Sequence, residues 1–189
     1  MKPFLYAAVG LLLWAPANAQ LAVEPNTCPW PGPPQYLDDR PSLPDSTLVT
    51  ISGETVKLCY SRPAARGRVI FGGLVPYGRL WRTGANEPTM LHLPVAARVA
   101  GVRLEAGAYL LFTVPGTDSW SVVLSTSDAT EPTDMLNDNV EIGRGSVPAE
   151  SLAELVETLT ITGEPAEGGA LLVLDWERTR VRIPIELRD

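Results

Sequence analysis

TLVTISGETVKLCY, residues 47–60, is the stretch on which the fold turns. Val49 and Ile51 alternate with Thr50, and Val56, Leu58 and Tyr60 alternate with Thr55 and Lys57, around Ser52-Gly53. Period-two alternation on both sides of a two-residue turn reads as a β-hairpin, because successive side chains of a strand point to opposite faces. Working outward, further strands are expected at Thr89–Leu93, Ala97–Val99, Gly107–Val114, Trp120–Ser125, Val156–Thr162, Ala170–Trp176 and Val181–Leu187. Turn residues part them, at Ala100-Gly101, over 115–118 and over 163–169. Only Pro148–Leu155 competes as a helix, with Ser151 as cap and Glu154 three residues on. The last two strands are expected to form a hairpin around Glu177–Arg180. Leu172, Leu174 and Trp176 would share one face of the first, and Val181, Ile183 and Ile185 one face of the second. Many short strands at this spacing predict an all-β domain over 46–189, a single antiparallel β-sandwich, jelly-roll-like, with a closed barrel as the alternative.

Before this domain the chain changes character twice. Residues 1–19 have a basic start, an apolar run from Phe4 to Trp14 and small residues at Ala17 and Ala19, the pattern of a secretory signal peptide cut after Ala19. The run is shorter than the roughly 20 residues that span a bilayer, and no later stretch is apolar for long enough, so an exported protein, periplasmic or extracellular and not membrane-spanning, is expected. Residues 20–45 form a proline-rich arm. Cys28 in the arm and Cys59 in the hairpin are the two cysteines, and an even pair in an exported chain is expected to be oxidised. Such a bridge is worth roughly 3.5 kcal/mol on the chain-entropy model. A buried free thiol at Cys59, with Cys28 exposed, is the alternative.

Charge narrows the function classes. The 189 residues hold 15 Lys+Arg against 22 Asp+Glu, a net charge of −7, which argues against nucleic-acid binding. Yet between Thr55 and Asn86 there is no acid, while Lys57, Arg62, Arg66, Arg68, Arg79 and Arg82 are all cationic. Beyond residues 1–19, the rest of the chain carries 8 Lys+Arg against 22 Asp+Glu. The same segment holds Gly67, Gly72, Gly73, Gly78 and Gly84, too close together for regular elements and suited to ordered turns.

This block, RGRVIFGGLVPYGRLWRTGANEPT over residues 66–89, together with GAYLLFTVP (107–115), WSVVL (120–124) and LVLDWERTRVRIPI (172–185), resembles the bacterial family named domain of unknown function 2911 (DUF2911). The resemblance covers roughly Leu48 to Leu187 and leaves the arm and the cysteine pair at its edge. It implies an exported, predominantly β domain and brings no assigned activity.

Arginine presents a planar fork that fits carboxylate, phosphate or sulfate, and aromatic rings stack on sugars or guanidinium groups. Arg62, Arg68, Arg79 and Arg82 are therefore candidate anion contacts, Tyr77 and Trp81 candidate platforms, and Asn86 a polar anchor, in a module binding an anionic or sugar-containing envelope component without a cofactor. A structural reading stands beside it, in which the arginines pair with Glu87, Asp175 or Glu177 and Trp81 is core. Catalysis has less to draw on. The one histidine, His92, lies between Leu91 and Leu93 and points to the face opposite those leucines, and one imidazole with two bridged cysteines makes no zinc site. Asp134, Asn137, Asp138, Asn139 and Glu141 lack the fixed glycine and final Glu of a calcium loop and read as a solvated acidic loop. If the protein is a hydrolase of envelope polymers, Glu87 beside the arginine block is the candidate acid, and Glu177 after Trp176 is the second candidate carboxylate. A third alternative is a protein-interaction domain whose partner covers the arm.

Overall fold

Ser52 and Gly53 both adopt positive φ, 51° and 90°, which matches the tight turn that a right-twisted hairpin favours. On either side of it run β1 (Leu43–Ile51) and β2 (Glu54–Arg62), paired from Ile51–Glu54 out to Leu43–Arg62. The computed structural model describes residues 28, 37, 39–127, 137 and 139–187. The expected signal peptide, most of the arm, and Asp134 and Asp138 of the acidic loop lie outside the described residues.

The other strands are β3 (Thr89–Leu93), β4 (Ala97–Val99), β5 (Val102–Leu104), β6 (Gly107–Val114), β7 (Ser119–Thr126), β8 (Val140–Ala166) and β9 (Gly169–Leu187). They form one antiparallel sheet in the order β1-β2-β3-β6-β7-β8-β9-β4-β5, so the chain is all-β, with the described regular elements all strands. The pairing gives one continuous sheet in place of the two separate sheets expected of a sandwich. It folds back on itself, and β1 packs against β8 and β9. The hinge of this arrangement is β8. Its residues 140–148 pair with β7, whereas residues 149–166 pair with β9.

Two expectations fail at this point. Pro148–Leu155 is not a helix, because both halves of β8 have strand partners whose ladder bonds and core contacts outweigh a local capping signal. Nor do the last two strands form a hairpin. They are the two ends of β9, which runs on through Glu177 at φ 54°, and the actual hairpin is β8–β9 around Gly168 at φ 74°. The register shifts on either side of Val156 let the longer β8 stay paired with β9 past this bend. β5, which had not been expected as a strand, pairs with β4 through the Ala100-Gly101 turn.

The fold-back buries the inward faces of the sheet in one core, including Val49, Leu58, Leu91, Leu111, Leu124, Leu159, Leu174 and Ile183. Leu172, Leu174, Trp176, Val181, Ile183 and Ile185 are all buried as the sequence implied. Hydrogen bonds also join the layers. The Tyr60 hydroxyl accepts from the Ile161 N–H at 2.9 Å, and the Thr47 hydroxyl donates to the Ile161 carbonyl. β1 and β8 come this close because residue 163 is glycine; a Cβ there would stand 2.7 Å from that of Val49. On the outer face of the sheet, a smaller cluster of Leu110, Phe112 and Val123 is flanked by Met90 and Val114.

Candidate functional site

Between β2 and β3, residues 63–88 form neither helix nor long strand, yet their backbone groups are well partnered. Ala65 N–H donates to the Glu157 carbonyl and Leu159 N–H to the Pro63 carbonyl, both at 2.8–2.9 Å, which fixes the start of the segment on β8. Trp81 and Thr113 exchange bonds of 2.8 and 2.9 Å, and Gly78 N–H reaches the Pro115 carbonyl, which fixes its second half on the end of β6. The segment is thus a cap laid from one part of the folded sheet to another. Between these anchors the chain turns tightly, and Gly72 at φ 85° lies under the Tyr77 ring, where a Cβ would meet the ring at 2.7 Å.

Apolar side chains plug the cap into the core. Phe71 meets Trp120 of β7 edge-on at 4.8 Å and Trp176 of β9 at 5.9 Å, while Trp81 stacks on Trp176 at 5.7 Å. Edge-on and offset geometry is favoured by the ring quadrupoles. The indole N–H groups are satisfied as well: Trp81 donates to the Gly84 carbonyl at 3.0 Å and Trp176 to the Glu157 carbonyl at 3.3 Å.

The arginines of the block divide into distinct groups. Arg62 is committed to the fold, with Nε on the Leu159 carbonyl, one Nη on Thr160 and the other 3.3 Å from the Asp45 carboxylate. Arg66 and Arg68 spend their donors on backbone carbonyls, of Pro41 and of Ala64 and Ala65 respectively. Arg82 donates to the Asn86 carbonyl. Arg79 is exposed and, among the described residues, has no hydrogen-bond or ion-pair partner. The carboxylates suggested as partners for the block are occupied elsewhere: Glu87 by Arg40 at 2.5 Å and Asp175 by Arg180 through two bonds, while Glu177 accepts from the Ile70 N–H at 3.3 Å.

The cap itself, against Trp176 of β9, forms a cleft of about 380 Å³, at the lower end of the range for small-molecule sites. Trp81 and the buried Trp176 contribute aromatic surface, Leu74, Val75, Leu80, Pro63, Pro76 and Ala85 aliphatic surface, and Arg79 and Arg82 the charge, with Gly84 completing the wall. The lining offers cationic donors and apolar surface and holds no carboxylate, imidazole, hydroxyl or thiol side chain. Such a lining can pair with a negative group and pack against an apolar or ring-shaped body.

Of the residues singled out from sequence, Arg79, Trp81 and Arg82 come together here, and the rest do not. Tyr77 is 46% exposed but lies over Gly72, outside the lining. Asn86 donates to the Ser42 carbonyl at 3.2 Å and ties the cap to the start of β1. Glu87 is buried, held by Arg40 and by the Ser61 hydroxyl at 3.4 Å. Glu141 is paired with Arg144. His92 sits opposite Leu91 and Leu93 as expected, register partner of Lys57, with both ring nitrogens buried and unpartnered among the described residues. Burial first, and the Lys57 charge second, push its imidazole below the usual histidine range. Leu74, Leu80 and Trp176 are cleft residues that sequence reading did not single out as such. Leu74 and Leu80 lacked any period to betray them, and Trp176 carried only the signal of a core strand.

Cys28 and Cys59 form the expected disulfide, which is compatible with an exported protein. Among the described residues no helix is long and apolar enough to cross a membrane. Neither a curated protein nor a solved structure matches the chain. A family model does, over residues 42–185 and thus most of the chain, and the chain belongs to that family, described as protein of unknown function (DUF2911).

Proposed function

We propose that the protein is an extracytoplasmic binding module whose cleft takes a small ligand bearing phosphate, sulfate or carboxylate on an apolar or sugar-ring body. One observation carries this reading: Arg79 lines the cleft with its guanidinium unspent, in a protein where most arginines are held by a carboxylate or a carbonyl. Arg82 supplies a second cation and Trp81 a ring edge. Of the cationic and aromatic set read from sequence, Arg62 ties β2 to β8 and β1, Arg68 holds the start of the cap, and ligand contact falls to Arg79, Arg82 and Trp81. Hydrolysis with Glu87 as acid has less support, because that carboxylate is engaged by Arg40 and does not line the cleft.

The test is thermal unfolding at low salt across phosphates, sulfated sugars, uronic acids, neutral glycans, peptidoglycan fragments and calcium. A ligand at about a hundred times its Kd stabilises by roughly 2.7 kcal/mol and raises the midpoint by about 5–10 °C. The expected result is a shift with an anionic compound that salt erases and Arg79→Ala removes. A flat panel, or a shift that survives Arg79→Ala, overturns the reading.

A further inference from the structure

Beyond the cleft, the tip of the cap has a surface unlike the rest of the molecule. Within residues 69–80, Ile70, Phe71 and Val75 turn inward, while Val69, Leu74, Tyr77 and Leu80 stay exposed, Val69 at 67%. This is no failure of packing, for the turn that presents them is ordered: Leu74 N–H donates to the Val69 carbonyl, Val75 N–H to the Ile70 carbonyl and Gly72 N–H to the Val75 carbonyl, at 2.8–3.1 Å. In the chain the turn is flanked by Arg66, Arg68, Arg79 and Arg82, while at its base the Glu157 carboxylate accepts from the Arg66 N–H and the Glu177 carboxylate from the Ile70 N–H. Among the described residues none of these guanidinium groups has a carboxylate within ion-pair distance, whereas Arg40, Arg62, Arg98, Arg144, Arg180 and Arg182 each do. A hydrogen bond to a carbonyl orients a guanidinium and leaves its charge uncancelled.

We propose that this tip docks on an anionic lipid surface, with Val69, Leu74, Tyr77 and Leu80 entering the interface and the four arginines meeting lipid phosphates. Apolar side chains set among uncancelled cations suit that interface, and a tyrosine is at home at headgroup level. A handful of side chains on one turn falls short of the roughly 800 Å² per partner of a stable protein interface, whereas a lipid surface sets no such minimum. Val69, Tyr77, Arg66 and Arg68 lie outside the cleft lining, so docking does not depend on a cleft ligand.

The experiment is co-sedimentation of the chain from Gln20 onward, which removes the apolar run of residues 4–14, with vesicles of phosphatidylcholine alone or mixed with phosphatidylglycerol. Expected is partition onto the anionic vesicles only, reversed by salt, lowered at least tenfold by Val69→Asp or Leu74→Asp and about fivefold by Arg68→Gln, with unfolding midpoints unchanged for the two exposed apolar sites. No partition, or partition indifferent to Val69→Asp, overturns the proposal. So does retention on immobilised polyglutamate, or elution as a dimer, without vesicle binding, which would assign the tip to an acidic protein or a second copy. A phosphate-induced thermal shift without vesicle binding leaves only the cleft reading standing, and vesicle binding with a flat ligand panel leaves only this one.

Discussion

Arg180 on β9 and Arg79 in the cap are the same side chain put to opposite uses. Arg180 lies against Asp175 on its own strand with two bonds of 2.5 and 2.7 Å, and the pair belongs to the sheet. Arg79 stands at a cleft with no partner among the described residues. In the sheet, cations and acids are interleaved, and Arg98, Arg144, Arg180 and Arg182 each pair with a carboxylate. In the cap, acids are missing from the whole stretch between Thr55 and Asn86, so a cation there turns to backbone or remains available. Where the unpaired charge collects is a better guide to function than where the charge itself collects.

The comparison breaks most readily if the cap is a loose loop rather than part of the core. Phe71→Ala removes the ring that meets three tryptophans and is expected to cost about 3–5 kcal/mol in denaturant unfolding, as for a core aromatic. A cost below about 1 kcal/mol would mean that the cap is not integral. Next comes the Cys28–Cys59 bridge, which closes a separation of 31 residues. Cys28→Ser with Cys59→Ser is expected to lose roughly 3.5 kcal/mol while leaving the ligand-induced shift in place, since neither cysteine lines the cleft.

His92 gives a smaller, pH-dependent effect on the far side of the sheet from the core. Its folded pKa is depressed, so below 6.5 the unfolded chain binds the proton more readily and stability falls as the pH drops. The slope owed to one such group is at most about 1.4 kcal/mol per pH unit. Stability measured from pH 7 to 5 is expected to decline, and His92→Leu to flatten that decline; an unchanged slope would show that the imidazole does not stay neutral. The smallest effect sharpens the comparison most. Arg79→Ala is expected to stay within about 0.5 kcal/mol of the parent, whereas Arg180→Ala, which strips the charged partner from half-buried Asp175, should cost about 1 kcal/mol. Equal losses would place Arg79 among the structural arginines.

How much of this could be read from the sequence follows the range of each interaction. The β1–β2 hairpin was legible because its alternation and its turn are local, and so were β3, β4, β6 and β7. Residues 148–155 misled because Ser151 and Glu154 form a real local helix signal; tertiary pairing overrides it, and the four residues between Ser151 and Val156 survive as a bulge in β8. Glu177–Arg180 looked like a turn because it is polar, and it lies within β9, where Glu177 takes a positive φ opposite the extra residues of β8. At the site, the concentration of arginine and glycine was visible, but its allocation was not. The carbonyls of Ala64, Ala65, Pro41 and Leu159 claim Arg66, Arg68 and Arg62, and no residue-type pattern announces a carbonyl acceptor. Likewise Arg40, from outside the block, is what removes Glu87 from the chemistry first imagined for it.

The double allegiance of β8 has a consequence for how the molecule comes apart. Because one strand carries the ladder with β7 over residues 140–148 and the ladder with β9 over residues 149–166, and both parts of the sheet bury their inward faces in one core, the two parts are expected to open together. Hydrogen exchange in both halves should therefore report a single global opening. New chain ends belong at the exposed Ser52-Gly53 and Gly168 turns, where a Cβ on either glycine meets nothing, whereas a cut within residues 140–148 would interrupt the ladder to β7 and one within 149–166 the ladder to β9.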